Sequence, residues 1–187
     1  MKRITITLIV LMTALSIYAQ NRTEHADYGQ GKAIGFSLLG EPMIVGATYK
    51  IVKDQNQIEF GAGFANTLEH YTDIEDVTIT ETHSGLGLSA GYNFFLGSKN
   101  KVRKHKVVKN YLSLKLGASI TNVTELKPTI SWRRETFRNE EQNYSRGFDL
   151  GMTYSRVLGD EFIRKGDGLI NTYSSIYMRF DWNWFRS

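Results

Sequence analysis

Short runs of alternating apolar and polar residues recur along the chain, and the clearest run covers residues 174–185. Large apolar side chains occupy every even position from Ile176 to Trp184, and the odd positions between 178 and 184 carry Arg, Asp and Asn. A β-strand turns successive side chains to opposite faces. The run therefore predicts a strand with one apolar and one polar face.

The same alternation predicts six further strands, separated by short connections. They start near residues 33, 43, 57, 85, 111 and 147. In the second of them, Met43 and Tyr49 fall on the apolar face. Polar turns are expected at 53–56 and 97–106, and longer polar loops at 66–84 and 158–173. Connections this short join antiparallel neighbours, because a parallel crossover needs a dozen or more residues.

The count of seven strands is odd, whereas single-chain bacterial membrane barrels have an even number of strands. Segment 129–137 is the best candidate for the missing strand, although its alternation is weak and Arg134 would face outward. The prediction is therefore an all-β fold, an antiparallel up-and-down transmembrane β-barrel of eight strands. The alternative is that 122–143 forms one long outer hairpin and another segment supplies the eighth strand.

The polar face of these strands is rich in Gly, Ser, Thr and Ala, which suits the narrow interior of an eight-stranded barrel. A water-facing surface would carry more charge. The charges on that face balance, and we expect them to pair inside the barrel, because an unpaired buried ion costs several kcal/mol. The predicted interior charge network consists of Lys50, Glu59, Lys115, Arg133, Glu135, Asp149, Arg179 and Asp181. A soluble lipocalin-like carrier, with its apolar face inside, is the alternative.

Aromatic residues on the apolar face cluster near predicted strand ends, where amphipathic rings favour a membrane–water interface. The predicted aromatic girdle consists of Tyr49, Tyr92, Phe94, Tyr154, Trp182 and Trp184.

The first residues read as a secretory signal peptide, with Lys2 and Arg3 before an apolar run and small residues near Ala19. The expected organisation is a signal peptide at 1–20, a flexible lead-in at 21–30 and the barrel at 31–187. Cysteine is absent, which excludes thiol chemistry and disulfides. The net charge of +4 is too small to argue for a nucleic-acid partner.

At three places the chain resembles the small eight-stranded outer-membrane barrel proteins of Gram-negative bacteria. These are Tyr18-Ala19-Gln20, the opening Gly35-Phe36-Ser37-Leu38-Leu39-Gly40, and the aromatic-rich last strand. The resemblance implies a location in the outer membrane, contact with its lipid and lipopolysaccharide, and assembly by machinery that reads the last strand. The family includes adhesins, membrane stabilisers, ligand binders and a few lipid-modifying enzymes, so the fold alone does not choose among them.

Candidate chemistry is sparse. The acidic loop 66–84 has no spacing typical of a calcium site. The basic turn 97–106 suits contact with anionic headgroups or a solvated surface. His83 and Ser84 are adjacent, so a regular strand would point them to opposite faces. We therefore expect a non-enzymatic barrel without a cofactor, acting through its surface loops on a ligand that the sequence does not identify. The alternative is a lipid A-modifying hydrolase.

Overall fold

The computed structural model describes residues 28–40, 42–72, 78–101, 106–121, 124–138, 141–158 and 172–186. They form one closed antiparallel barrel in which each strand pairs with its sequence neighbours and β1 pairs with β8. The strands are β1 (Gly31–Leu38), β2 (Val45–Lys53), β3 (Asn56–Thr72), β4 (Thr78–Lys101), β5 (Lys106–Ile120), β6 (Thr124–Arg138), β7 (Glu141–Leu158) and β8 (Thr172–Arg186). The eight-stranded up-and-down prediction is confirmed. Within the described ranges, no helix is long and apolar enough to cross a bilayer.

The pairing register fixes how the barrel closes. Paired positions lead from Ala33 on β1 to Ser175 on β8, through Lys50, Glu59, Gly91, Lys115, Thr129 and Thr153. Ala33 itself pairs with Phe185, ten residues further along β8. Such a stagger requires the strands to tilt by roughly 40° from the barrel axis, and the eight-stranded interior is then just wide enough to be filled by side chains.

The segment predicted as the eighth strand lies within β6. This strand starts five residues earlier than expected and includes Pro128, whose side chain is exposed. The ladder between β6 and β7 has paired positions at Leu126 and again at Thr129. Proline has no amide hydrogen to give to a ladder, which accounts for the interruption at this point.

Two of the predicted connections are shorter than expected. Residues 66–72 and 78–84 belong to β3 and β4, which remain paired up to Thr72 and Thr78, so the predicted loop 66–84 is largely a hairpin. The β-branched residues of 78–80 favour strand structure. The predicted turn 97–106 is similarly reduced, because β4 continues to Lys101 across a bulge between Phe95 and Gly97. Most of the predicted loop 158–173 lies outside the described residues.

The connection between β1 and β2 folds into the barrel. Gly40, Pro42 and Met43 are buried, whereas Ile44 is exposed. The prediction that Met43 shares the outward face of β2 is therefore wrong. The strand begins only at Val45, and Met43 fills space left by glycines on β2, β3 and β4, namely Gly46, Gly61 and Gly87.

The end of the barrel opposite the β1–β2 connection holds the start of β1 and the end of β8. It also holds the turns between β2 and β3, β4 and β5, and β6 and β7. We call it the short-turn end. An apolar cluster fills its interior, formed by Ala33, Val52, Val107, Phe137 and Phe185, with Tyr28 packed against it. Phe185 thus points inward. The charged interior is therefore enclosed between this cluster and the inward-folded Met43 connection.

Candidate functional site

The barrel has a polar interior and an apolar exterior. Buried side chains along the strands include charged and hydroxyl groups, while large apolar side chains on the opposite face are exposed. Ile34 is 67% exposed and Ile176 is 78% exposed, whereas Arg133 between the opposite walls is 0% exposed. An interior of this kind is the reverse of a lipid-carrying soluble barrel.

All eight side chains of the predicted charge network lie together in this interior. They come from six of the eight strands, and each is at least 92% buried. Strand β4 passes the cluster with Gly91, whose missing side chain leaves room for Lys115, and on β1 the missing side chain of Gly35 leaves room for the neighbouring Asn183 and Thr48. With four cations and four carboxylates, the cluster has no formal net charge.

Arg133 on β6 is one centre of the cluster. Its Nη1 donates to Oδ1 of Asp149 at 2.7 Å and to Oδ2 of Asp181 at 2.6 Å. Its Nη2 donates to Oδ1 of Asp181 at 3.1 Å and to Oε1 of Glu135 at 3.4 Å. The planar guanidinium suits this role because its donors form a fixed fork that matches a carboxylate.

Arg179 on β8 is the second centre. Its two terminal nitrogens both donate to Glu59 on β3, and Nη2 donates to Oε2 at 3.0 Å. The same Nη2 lies 3.0 Å from Asp149 Oδ2 and 3.1 Å from Asp181 Oδ2. Arg179 therefore joins β8 to the opposite wall of the barrel and shares two carboxylates with Arg133.

The two lysines complete the neutralisation. Lys115 Nζ lies 2.6 Å from Asp149 Oδ2 and 3.3 Å from Glu59 Oε1. Lys50 Nζ lies 3.3 Å from Asp181 Oδ2, with Glu59 and Glu135 slightly further away. Each of the eight groups thus has an opposite charge within ion-pair distance, as burial of ions requires.

A layer of neutral polar groups that sequence reasoning missed lies beside the charges. Gln57 Nε2 donates to Glu135 Oε2 at 2.6 Å, and Asn93 donates to Gln57 Oε1 at 3.0 Å. Ser145 and Asn183 also donate to Glu135. The odd–even alternation along each strand could have identified these groups. Asn183 lies two residues after Asp181 on β8 and therefore shares its face.

A smaller ion pair that was also missed lies further from the short-turn end. Lys127 Nζ is 2.9 Å from Glu125 Oε2, and Ser119 donates to the same oxygen at 3.0 Å. Both charged residues are on the inward face of β6. They belong to the part of β6 that was not predicted as strand.

The six residues of the predicted girdle all lie on the outer surface. Tyr154 is in the half of the barrel away from the short-turn end, and the other five are in the half nearer to it. Ring contacts join this band across strands. Trp182 packs near Phe36 at 6.3 Å between centroids, and Trp184 packs near Tyr144 at 5.6 Å.

The ion pairs of the interior connect different strands of the barrel to one another. The carboxylates are held by arginine and lysine, and among the described residues no group of three His, Cys, Asp or Glu side chains is placed to hold a metal ion. The side chain of His83, the centre of the enzymatic alternative, lies outside the described part of the molecule. Comparisons with protein-family models, curated proteins and solved structures gave no match.

Proposed function

We propose that the protein is a non-enzymatic outer-membrane barrel with a closed, salt-bridged interior. Its surface loops would serve binding, adhesion or envelope integrity. The observation that carries this proposal is the polarity of the barrel. The apolar residues face outward and the ions face inward, an arrangement that a bilayer stabilises and that bulk water opposes.

The dimensions of the apolar face support the proposal. A membrane-crossing strand needs roughly 9–11 residues. On β5, each outward position from Leu112 to Ile120 is apolar, which covers nine residues of strand. The aromatic band near the short-turn end has the placement and residue types expected at a membrane–water interface.

The filled interior argues for work at the ends of the barrel. The apolar cluster around Phe137, the ion cluster and the Met43 connection occupy the lumen in succession. An eight-stranded barrel filled in this way offers no wide aqueous channel. Contact with a surface ligand would then fall to the segments that extend from the end opposite the short turns, the β3–β4 hairpin and the β7–β8 connection.

Cell fractionation followed by gel electrophoresis tests the proposal. The mature protein is expected in the outer-membrane fraction, and it should migrate differently on SDS gels before and after boiling, because a closed barrel resists SDS until heated. A chain that stays soluble without detergent and shows no mobility difference would overturn the proposal and support a soluble carrier. Unchanged lipid A in cells that express the protein and its His83→Ala variant would count against the lipid-modifying alternative.

A further inference from the structure

Three exposed cations occupy neighbouring strands at the short-turn end of the outer surface. Lys32 on β1 is directly paired with Arg186 on β8. Lys53 on β2 lies two residues beyond Ile51, the partner of Lys32. All three side chains are exposed, and we call them the β8–β1–β2 cation row.

The cation row is unfavourable for an isolated barrel. Directly opposed residues on paired strands have Cβ atoms about 5 Å apart, and like charges at that distance destabilise the pair. None of the three cations has an ion-pair partner among the residues that the structure describes. Asp54 is the one exposed carboxylate whose side chain is described, and it leaves the row with a net positive charge.

An apolar surface adjoins the row on the same three strands. One alternate position further from the short-turn end, Ile34 pairs with Trp184 on β8 and with Tyr49 on β2. These side chains are 67%, 54% and 37% exposed respectively. The surface therefore presents cations beside an exposed apolar and aromatic face, in the order in which a phospholipid presents its phosphate and its acyl chains.

We infer that the β8–β1–β2 cation row binds the headgroup phosphate of an anionic glycerophospholipid, whose acyl chains lie along Ile34 and Trp184. This inference rests on the proposed membrane location and adds a lipid preference to it. The guanidinium of Arg186 can hold a phosphate through two parallel hydrogen bonds, and the two lysines supply point charges. A zwitterionic lipid would leave the excess positive charge of the row uncompensated.

Quenching of tryptophan fluorescence by brominated lipids tests the inference, since Trp184 adjoins the row. The protein is refolded into phosphatidylcholine vesicles that contain brominated phosphatidylglycerol or brominated phosphatidylcholine. Stronger quenching by the brominated phosphatidylglycerol is expected at low salt. The preference should fall at high salt, because exposed charges are screened within about 3 Å at 1 M.

The variant Lys32→Gln/Lys53→Gln/Arg186→Gln should lose the preference. Each cation near a membrane surface contributes about a five-fold preference, which gives on the order of a hundred-fold for three. The matched control is Arg156→Gln, which removes an exposed outward cation from the opposite end of the barrel; its preference should equal that of the unchanged protein.

The outcomes separate the two proposals. Equal quenching by the two brominated lipids, or an equal loss in the Arg156→Gln control, would overturn the cation-row inference while leaving the membrane barrel intact. Failure to form a heat-sensitive folded band in any vesicle would overturn the membrane proposal itself. If the triple variant does not fold, the salt dependence of the unchanged protein decides, and a preference that does not fall with salt contradicts the inference.

Discussion

Arg133 and Asp181 form a two-point ion pair inside the barrel, with distances of 2.6 Å and 3.1 Å, although β7 separates their strands. The ladder hydrogen bonds join only adjacent strands. This pair therefore ties β6 to β8 independently of the ladder. Both side chains are at least 99% buried. Each charge is therefore stabilised only as long as its partner is present, because an unpaired buried ion carries a large desolvation cost.

Replacing Arg133 with Met should lower the free energy of unfolding by about 3–5 kcal/mol, because three carboxylates would lose a buried cation. Denaturant unfolding of the refolded protein in detergent or vesicles measures the change. The control is Arg134→Met, one residue along β6 on the outward face, which should cost far less. Equal losses in the two variants would contradict the assignment of Arg133 as a centre of the cluster.

Arg179 and Glu59 should show strong energetic coupling, because both terminal nitrogens of Arg179 donate to the Glu59 carboxylate. Arg179→Ala should lower the unfolding temperature, and a further Glu59→Ala should restore part of it by removing the unpaired carboxylate. A coupling free energy of about 1–3 kcal/mol is expected from the double-mutant cycle. Arg179→Ala/Asp149→Ala should behave in the same direction, since Asp149 is also a partner of Arg179. Additive losses would show that the pairing does not hold.

Gly147→Ala should destabilise the barrel by about 1–3 kcal/mol, as overpacking does in a filled interior. A Cβ at Gly147 would lie 1.8 Å from Asp181 Oδ1 and 2.6 Å from Arg133 Nη2, so the ion pair itself would have to move. At Gly61, by contrast, a Cβ would meet the end of the flexible Met43 side chain and the Ser89 hydroxyl. Gly61→Ala should therefore cost less in the same unfolding measurement, and the reverse order would refute the explanation.

The odd–even alternation of apolar and polar residues along each strand was sufficient to predict which charges lie on the inward face. The alternation of apolar and polar residues is a local property, and it assigns Arg179 and Asp181 to the same face without knowledge of any other strand. The partners of each charge were not predictable in the same way. Arg179 contacts Glu59 across the barrel only because the ladder closes with its ten-residue stagger, and no single strand contains that information.

The remaining errors have local causes that alternation does not report. At the bulge between Phe95 and Gly97 the pairing register shifts by one residue. The inward-facing and outward-facing positions of β4 therefore exchange between the residues before the bulge and those after it. In the β3–β4 hairpin, polar composition suggested a loop, but Thr and Ile at 78–80 pair regularly with 70–72. Polar residues are acceptable in a strand wherever neither face is required to be apolar.

The burial of Met43 depends on glycines from three different strands. Its side chain occupies the space beside Gly46, Gly61 and Gly87 and is 2% exposed. Met43→Ala should therefore leave a cavity and lower the free energy of unfolding by about 2–5 kcal/mol. The adjacent Ile44 is 42% exposed and points outward, so Ile44→Ala removes a similar apolar volume without opening the interior and should cost much less. Equal effects in denaturant unfolding would mean that the β1–β2 connection does not pack inside the barrel.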